Sequence, residues 1–390
     1  MTRFARAERL QKIPPYLFAE LDRRIAAKRA AGVDVISLGV GDPDRPTPPH
    51  IVERLAREAA RPEWHRYPSY VGAPEFRRAA ARWLERNYGV QVDPDREVVA
   101  LIGSKEGLAH LCWALVNPGD AVLVPDPGYP VYRTQAVFAG GEPVELPLRA
   151  ERGFLPDLAA VPETVARRAR LLFLNYPNNP TGATATAADF AEWVAFARRH
   201  GIAFAHDAAY VDLALDGGRA PIALQAPGAK DVTIEFFSLS KPYNMTGWRL
   251  GFAAGNAELV QALATVKENT DSGQFTALQM AGVEALENTP EAFLEEMRAL
   301  YRRRLEKAAA ALREAGFDAR RPRATFYLWV PVPAGYTAEQ VAERMLEEAG
   351  VVVSPGTAYG RHGAGYIRLS LTLPDERLDE ALDRIRRLKF

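Results

Sequence analysis

A chain of 390 residues is longer than one small core requires, so two packed units are expected, one of them built from both termini. Hydrophobic content of 48% and charged content of 25% are ordinary for a soluble globular protein. A net charge of zero argues against nucleic acid or an anionic membrane as the main partner, and a single cysteine, Cys112, argues against a disulfide framework or a thiolate metal site.

The first eleven residues are basic but lead into no apolar run, so no secretory signal is expected. No stretch approaches the roughly 20 apolar residues that span a bilayer. A soluble cytoplasmic protein is the expectation. Ile13-Pro14-Pro15-Tyr16-Leu17 reads as an arm, followed by a helix over 20–31 that Gly32 stops. A short strand at 35–38 ends in Gly39-Val40-Gly41-Asp42-Pro43-Asp44. Asp44 stands where a dinucleotide fingerprint needs its third glycine and no helix opens there, so this is a loop.

Strand-like runs then fall at 98–102, 121–124, 143–146, 171–174, 202–205 and 232–237, with helical patterns at 108–116, 131–139 and 187–200 between them. Continuous Val, Leu, Ile and Phe without polar alternation suits strands buried on both faces. Their alternation with helices predicts an α/β fold with a doubly wound, mostly parallel sheet, and 249–254 follows closely enough to add a strand to it. A long helix from Pro290 past Glu306 leads to a mixed α+β unit with strands near 326–330, 351–353 and 366–371 and a closing helix from Asp375. The expected division is 1–48 as arm and part of a small domain, 49–288 as the large domain, and 289–390 as the rest of the small one. The six histidines show no ligand spacing; His200 and His206 read as flanks of a helix–strand junction.

Unusual residues gather where the strands end, which is where open α/β sheets bind ligands. After 98–102 comes Gly103-Ser104-Lys105-Glu106-Gly107, opening a helix whose free N–H groups suit a phosphate, though by itself it is equally a capped helix start. After 171–174 comes Asn175-Tyr176-Pro177-Asn178-Asn179-Pro180-Thr181-Gly182, which presents side-chain amides to the same rim. After 202–205 comes His206-Asp207-Ala208-Ala209-Tyr210; a carboxylate at the end of a buried strand is costly unless something positive meets it. After 232–237 comes Ser238-Leu239-Ser240-Lys241, then a turn and Arg249. Only eight of the 49 cationic residues are lysines, so one placed here among aromatics is poorly explained by solubility. Alone, the aspartate reads as a helix cap and the lysine as a solvated rim charge. Four such features on one rim point to a shared ligand.

One aspartate, one lysine, one phosphate seat and one amide turn meet the needs of pyridoxal 5'-phosphate. Asp207 would pair with the protonated pyridine nitrogen. Lys241 would form an imine with the cofactor's carbonyl and later carry a proton, which requires apolar and cationic surroundings that lower its pKa. Asn179 and Tyr210 suit the phenolic oxygen, and Tyr129 suits stacking on the ring. Ser104, Ser238 and Arg249, with Lys105 and Ser240 beside them, suit the phosphate. Arg368, in Gly365-Tyr366-Ile367-Arg368-Leu369-Ser370, would clamp an amino-acid carboxylate; read alone it is a surface charge on an alternating strand.

Through Asn178-Asn179-Pro180-Thr181-Gly182, Asp207-Ala208-Ala209-Tyr210 and Ser238-Leu239-Ser240-Lys241 to Arg249, the chain resembles the fold-type I class I/II aminotransferase family from about Pro14 onward. The resemblance implies a homodimer with shared active sites, Tyr67 reaching the neighbour's cofactor phosphate, and Gly41 offering its backbone to the substrate carboxylate. Within the family the chain is most similar to the LL-diaminopimelate aminotransferases, through Ile13-Pro14-Pro15-Tyr16-Leu17-Phe18, Leu38-Gly39-Val40-Gly41-Asp42-Pro43-Asp44, Gly103-Ser104-Lys105-Glu106-Gly107, Tyr243-Asn244-Met245-Thr246-Gly247-Trp248 and Asp271-Ser272-Gly273. This implies amino transfer between LL-diaminopimelate and 2-oxoglutarate, with Tyr16, Lys105 and Asn269 lining the substrate's distal end. Either Glu106 or Asp271 would meet the distal ammonium. Asn175-Tyr176-Pro177 stands where many relatives have Asn-Pro, so a changed turn is expected. Competing readings are an aspartate or broad-specificity aminotransferase and a carbon–sulfur β-lyase on the same cofactor. A further one is the ligand-sensing domain of a transcription regulator, which would need a basic helix-turn-helix ahead of Pro14.

Overall fold

Residues 239–250, between the two apolar runs that carry Phe237 and Phe252, form a turn with a single short 3-10 segment at Thr246–Trp248 and no crossover helix, and the strands they join pair antiparallel. The computed structural model describes residues 4–13 and 17–390, the side chains of 17–22 excepted. Tyr16 therefore lies outside the described residues. Strand β1 (Ile36–Ser37) precedes the main series: β2 (Val98–Leu101), β3 (Ala121–Asp126), β4 (Glu142–Pro147), β5 (Ala169–Leu174), β6 (Ala203–Asp207), β7 (Thr233–Ser238) and β8 (Gly251–Gly255). These seven form one sheet in the order β2-β8-β7-β6-β5-β3-β4. The pairings among β3 to β7 are parallel, and β8 runs against both its neighbours.

The expected strand at 249–254 is thus present but shifted. It starts at Gly251 because Arg249 adopts a left-handed backbone, φ 53°, that no strand accommodates. Helices lie over both faces of the sheet. One face packs on Trp83, Phe190, Trp193, Phe237 and Phe252, the other on Val99, Leu101, Phe173, Ile234 and Phe236. Helices Pro49–Ala59 and Pro74–Tyr88, each opened by proline, join this unit and are additional to the helices that the sequence pattern predicts.

Four strands follow: β9 (Tyr327–Pro331), β10 (Val351–Val352), β11 (Ser354–Pro355) and β12 (Tyr366–Ser370). β12 lies antiparallel between β9 and β11, while β10 pairs with β1, so a segment from early in the chain is built into the C-terminal unit. Ile36, Leu38, Tyr301, Phe326, Leu328, Val351, Ile367 and Leu382 share its core, and Tyr210 reaches in from the rim of the large sheet. No helix among the described residues is long and apolar enough to cross a membrane.

Candidate active site

The carboxyl ends of β3, β5, β6 and β7 open on one rim, and the antiparallel β8 brings its beginning there instead of its end. Together with the helix start Ser104–Leu115 and strand β12 they enclose a cavity of about 380 Å³. Of the residues singled out from sequence, Gly41, Ser104, Lys105, Tyr129, Asn179, Asp207, Tyr210, Ser238, Ser240, Lys241, Arg249 and Arg368 line it. Tyr67 and Asn269 do not. Tyr67 is 90% exposed. The exposed Asn269 turns its amide back to the Thr265 carbonyl at 2.8 Å.

The part-buried Lys241 donates from Nζ to the Gly41 carbonyl at 2.8 Å. Burial is the main cause that lowers its pKa to about 8; the charge of Asp42 opposes the shift, and Arg368 and Arg249 reinforce it. Asp207 accepts from the Tyr132 hydroxyl at Oδ2, 2.7 Å, while Oδ1 is buried with no hydrogen-bond partner. Burial raises the pKa of this carboxyl, against the Tyr132 hydrogen bond, the neighbouring His206 ring and the Ala209 backbone N–H, which lies near the carboxylate but outside hydrogen-bond geometry. Asn175 ties the Asp207 carbonyl to the neighbouring turn at 2.6 Å, and its Oδ1 accepts from the Asn179 amide at 2.7 Å. Within that turn Tyr176–Pro177 and Asn179–Pro180 are cis.

Arg249 emerges from its left-handed position to donate to the Thr246 carbonyl at 3.0 Å and lies 3.5 Å from the Ser240 hydroxyl. Gly103, at φ 72°, is the neighbour that admits it; a Cβ there would collide with the guanidinium. Burial and the nearby Arg249 lower the pKa of Lys105. Arg368 donates to Asn179 Oδ1 at 2.8 Å and to the Gly39 carbonyl at 2.7 Å. Its guanidinium lies between two rings, 4.3 Å from the Tyr327 centroid and 4.8 Å from that of Tyr359. Four cationic side chains thus face a single carboxylate, Asp207, an arrangement that suits a ligand with several anionic groups.

A family model described as aminotransferase class I and II matches residues 33–385. The chain belongs to the class I and II aminotransferase family. It is 56% identical over 383 residues to an LL-diaminopimelate aminotransferase of Desulforudis audaxviator, covering 98% of this chain and 97% of the relative. The like-named protein of Moorella thermoacetica is 54% identical over 382 residues, 98% of each chain. Among solved structures, substrate-bound BacF from Bacillus subtilis superposes with a TM-score of 0.94 at 39% identity, covering 99% of this chain and 98% of the other.

Two acids read from sequence as candidates for a substrate ammonium do not line this aminotransferase's cavity. Glu106 and Asp271 converge instead on the buried Lys267, at 3.5 and 3.0 Å, with His110 Nδ1 2.5 Å from Glu106 and 3.7 Å from Asp271. Glu106, His110 and Asp271 have the make-up of a metal site, but the Lys267 ammonium already supplies the cation. Spacing carried a signal for this: Glu106 and His110 are four apart on one helix, and Asp271 follows Lys267 by four in the turn just past the end of another. Tyr132, Tyr327 and Tyr359 line the cavity and were missed in the sequence. Tyr132 was within reach, one helical turn after Tyr129; Tyr327 and Tyr359 carried no comparable mark.

Proposed function

We propose that the chain binds pyridoxal 5'-phosphate in this cavity and transfers an amino group between LL-diaminopimelate and 2-oxoglutarate. The observation that carries the reading is the orphaned Asp207 Oδ1, buried at the end of β6 and facing a cavity that also holds Lys241, Arg249 and Arg368. A buried carboxylate oxygen without a donor is what a protonated pyridine nitrogen would satisfy.

When bound, the cofactor supplies an electron sink for charge developing at the substrate α-carbon. The protein does the rest. Asp207 holds the ring nitrogen with Tyr132 fixing its other oxygen, and Tyr129 covers the ring. Asn179 and Tyr210 face the phenolic oxygen. Arg249, Ser104, Ser238 and Ser240 hold the phosphate, with Lys105 adding charge. Lys241, once released from the Gly41 carbonyl, would take a proton from the substrate α-carbon and deliver it to the cofactor's carbonyl carbon, a task suited to an amine whose pKa is lowered to about 8. Arg368 and the Gly41 backbone hold the α-carboxylate. The choice of diaminopimelate is supported by the relatives at 56% and 54% identity and by Lys105, whose ammonium suits a distal carboxylate. Tyr16 and Asn269 belong to that distal end in the same reading.

The reading extends to a pair of copies with shared sites, in which Tyr67 meets the partner's phosphate, and to the division into a large domain at 49–288 and a small one from 1–48 and 289–390. Lys241→Ala is expected to lose both turnover and the visible absorbance of the loaded protein; keeping both would refute the assignment. Mixing Lys241→Ala with Tyr67→Phe after dissociation should restore activity through hybrid pairs, and no recovery would count against shared sites. In a donor panel with 2-oxoglutarate, LL-diaminopimelate should be fastest. Aspartate or an aromatic amino acid clearly outpacing it would overturn the substrate while leaving the transamination in place.

A further inference from the structure

Tyr327 was not among the residues marked by the sequence, yet it touches three separate parts of the site. Its hydroxyl is 2.8 Å from that of Tyr210, and both side chains are buried, 3% and 6% exposed. Its ring carries the Arg368 guanidinium at 4.3 Å. A Cβ on Gly41, whose carbonyl holds Lys241, would lie 2.5 Å from the Tyr327 hydroxyl, so that backbone passes directly against it.

A phenol has one proton to donate and lone pairs to accept with. In a pair of hydroxyls only one proton lies between the two oxygens. If Tyr210 donates to Tyr327, it has nothing left to give to a ligand in the cavity. If Tyr327 donates, the Tyr210 proton is free to point inward. The guanidinium on the Tyr327 ring makes that phenol the more acidic and therefore the better donor: Arg368 is the leading charge opposing the burial effect at Tyr327, whereas at Tyr210 it ranks behind the Tyr327 and Asp207 contributions.

We propose that Tyr327 is a positioning residue that donates to the Tyr210 oxygen and thereby turns the Tyr210 proton into the cavity, toward the phenolic oxygen of the bound cofactor. The inference rests on the proposed cofactor reading. Tyr327→Phe removes a single oxygen and keeps the ring beneath Arg368, so the carboxylate clamp and the fold are retained.

The test is a pH titration of the visible absorbance of the loaded protein for the wild type, Tyr327→Phe, Tyr210→Phe and the double variant, alongside kcat and KM. Tyr327→Phe should move the titration midpoint in the same direction as Tyr210→Phe and lower kcat about fivefold, with little change in the KM for the amino acid. On the Tyr210→Phe background the second substitution should add nothing, because its only route is through Tyr210. An unmoved midpoint in Tyr327→Phe, or shifts that add in full in the double variant, would overturn the proposal. Wild-type protein that fails to develop the visible band would instead sink the cofactor reading, so the two failures are told apart. Thermal melting of the four proteins without cofactor checks that the comparison is between folded chains; should Tyr327→Phe not fold, Tyr327→His, which keeps a ring N–H donor, is titrated in its place and must leave the midpoint near wild type.

Discussion

Arg304 grips both carboxylate oxygens of Asp44, Nη1 to Oδ1 at 2.7 Å and Nη2 to Oδ2 at 2.9 Å, with its side chain wholly buried. The same guanidinium reaches Asp375 through Nε at 2.7 Å and the Leu371 carbonyl at 3.2 Å. Asp44 lies three residues after Gly41 in the same loop, so the long helix Glu291–Glu314 anchors the backbone on which Lys241 rests.

Arg304→Met is accordingly expected to destabilise the protein by about 3 kcal/mol, because it leaves Asp44 without its partner in a largely buried place. Urea denaturation measures this. In the folded fraction, KM for the amino acid should rise more than the dissociation constant of the cofactor, since the displaced loop faces the substrate.

Lys241 gives a pH prediction with a defined sign. Its folded pKa of about 8 lies below the ordinary 10.5, so between those values the unfolded chain retains a proton that the folded chain has released. The charged lysine therefore imposes a penalty below pH 8 that is gone by pH 10.5, and stability rises with pH across that window. Cofactor-free wild type should gain stability relative to Lys241→Met between pH 7.5 and 10, read from denaturation midpoints. In the same protein, reaction of Lys241 with an aldehyde followed by borohydride reduction should be half-maximal near pH 8.

Tyr132→Phe removes the donor to Asp207 Oδ2. A hydrogen bond to a charged group contributes roughly 1.5–3 kcal/mol, so cofactor affinity should fall by about tenfold or more. Burial already raises the pKa of the Asp207 carboxyl, and loss of this donor raises it further. The loss of affinity should therefore be larger at pH 6 than at pH 8. Equal losses at both would show that Tyr132 acts by packing alone.

Gly103→Ala combines a strained backbone at φ 72° with a collision against Arg249. If Arg249 holds the cofactor phosphate as proposed, displacing its guanidinium should weaken the cofactor about tenfold and inorganic phosphate in parallel, while pyridoxal without phosphate is affected little. Isothermal titration with the three ligands separates these outcomes.

The strand ends were legible because long apolar runs stop abruptly at polar turns, which fixes both the sheet and the rim on which Asp207, Asn179 and Lys241 sit. The observed strands begin and end within a few residues of the expected ones. Partnerships across distance were not legible. Nothing local marks Tyr132 as the donor to a carboxylate 75 residues further on, or Tyr327 as the neighbour of Tyr210 from a different unit. Glu106 and Asp271 were visible as acids, but their direction depended on Lys267, whose burial only the packed helices determine. Arg368, a plain surface charge by strand alternation, is buried between Tyr327 and Tyr359 once β12 is seated between β9 and β11.

The connection between β7 and β8 carries both Lys241 and Arg249, and its ends are fixed by the register Ser238 to Gly251. Insertion or deletion of a residue in 239–250 would displace Lys241 and Arg249 together, so this loop tolerates little change of length. Gly41, Lys105 and Arg368 lie on other segments, each with its own supports. The fold therefore places two of the cavity's cations on one length-constrained loop and the other two on separate segments, each held by contacts of its own.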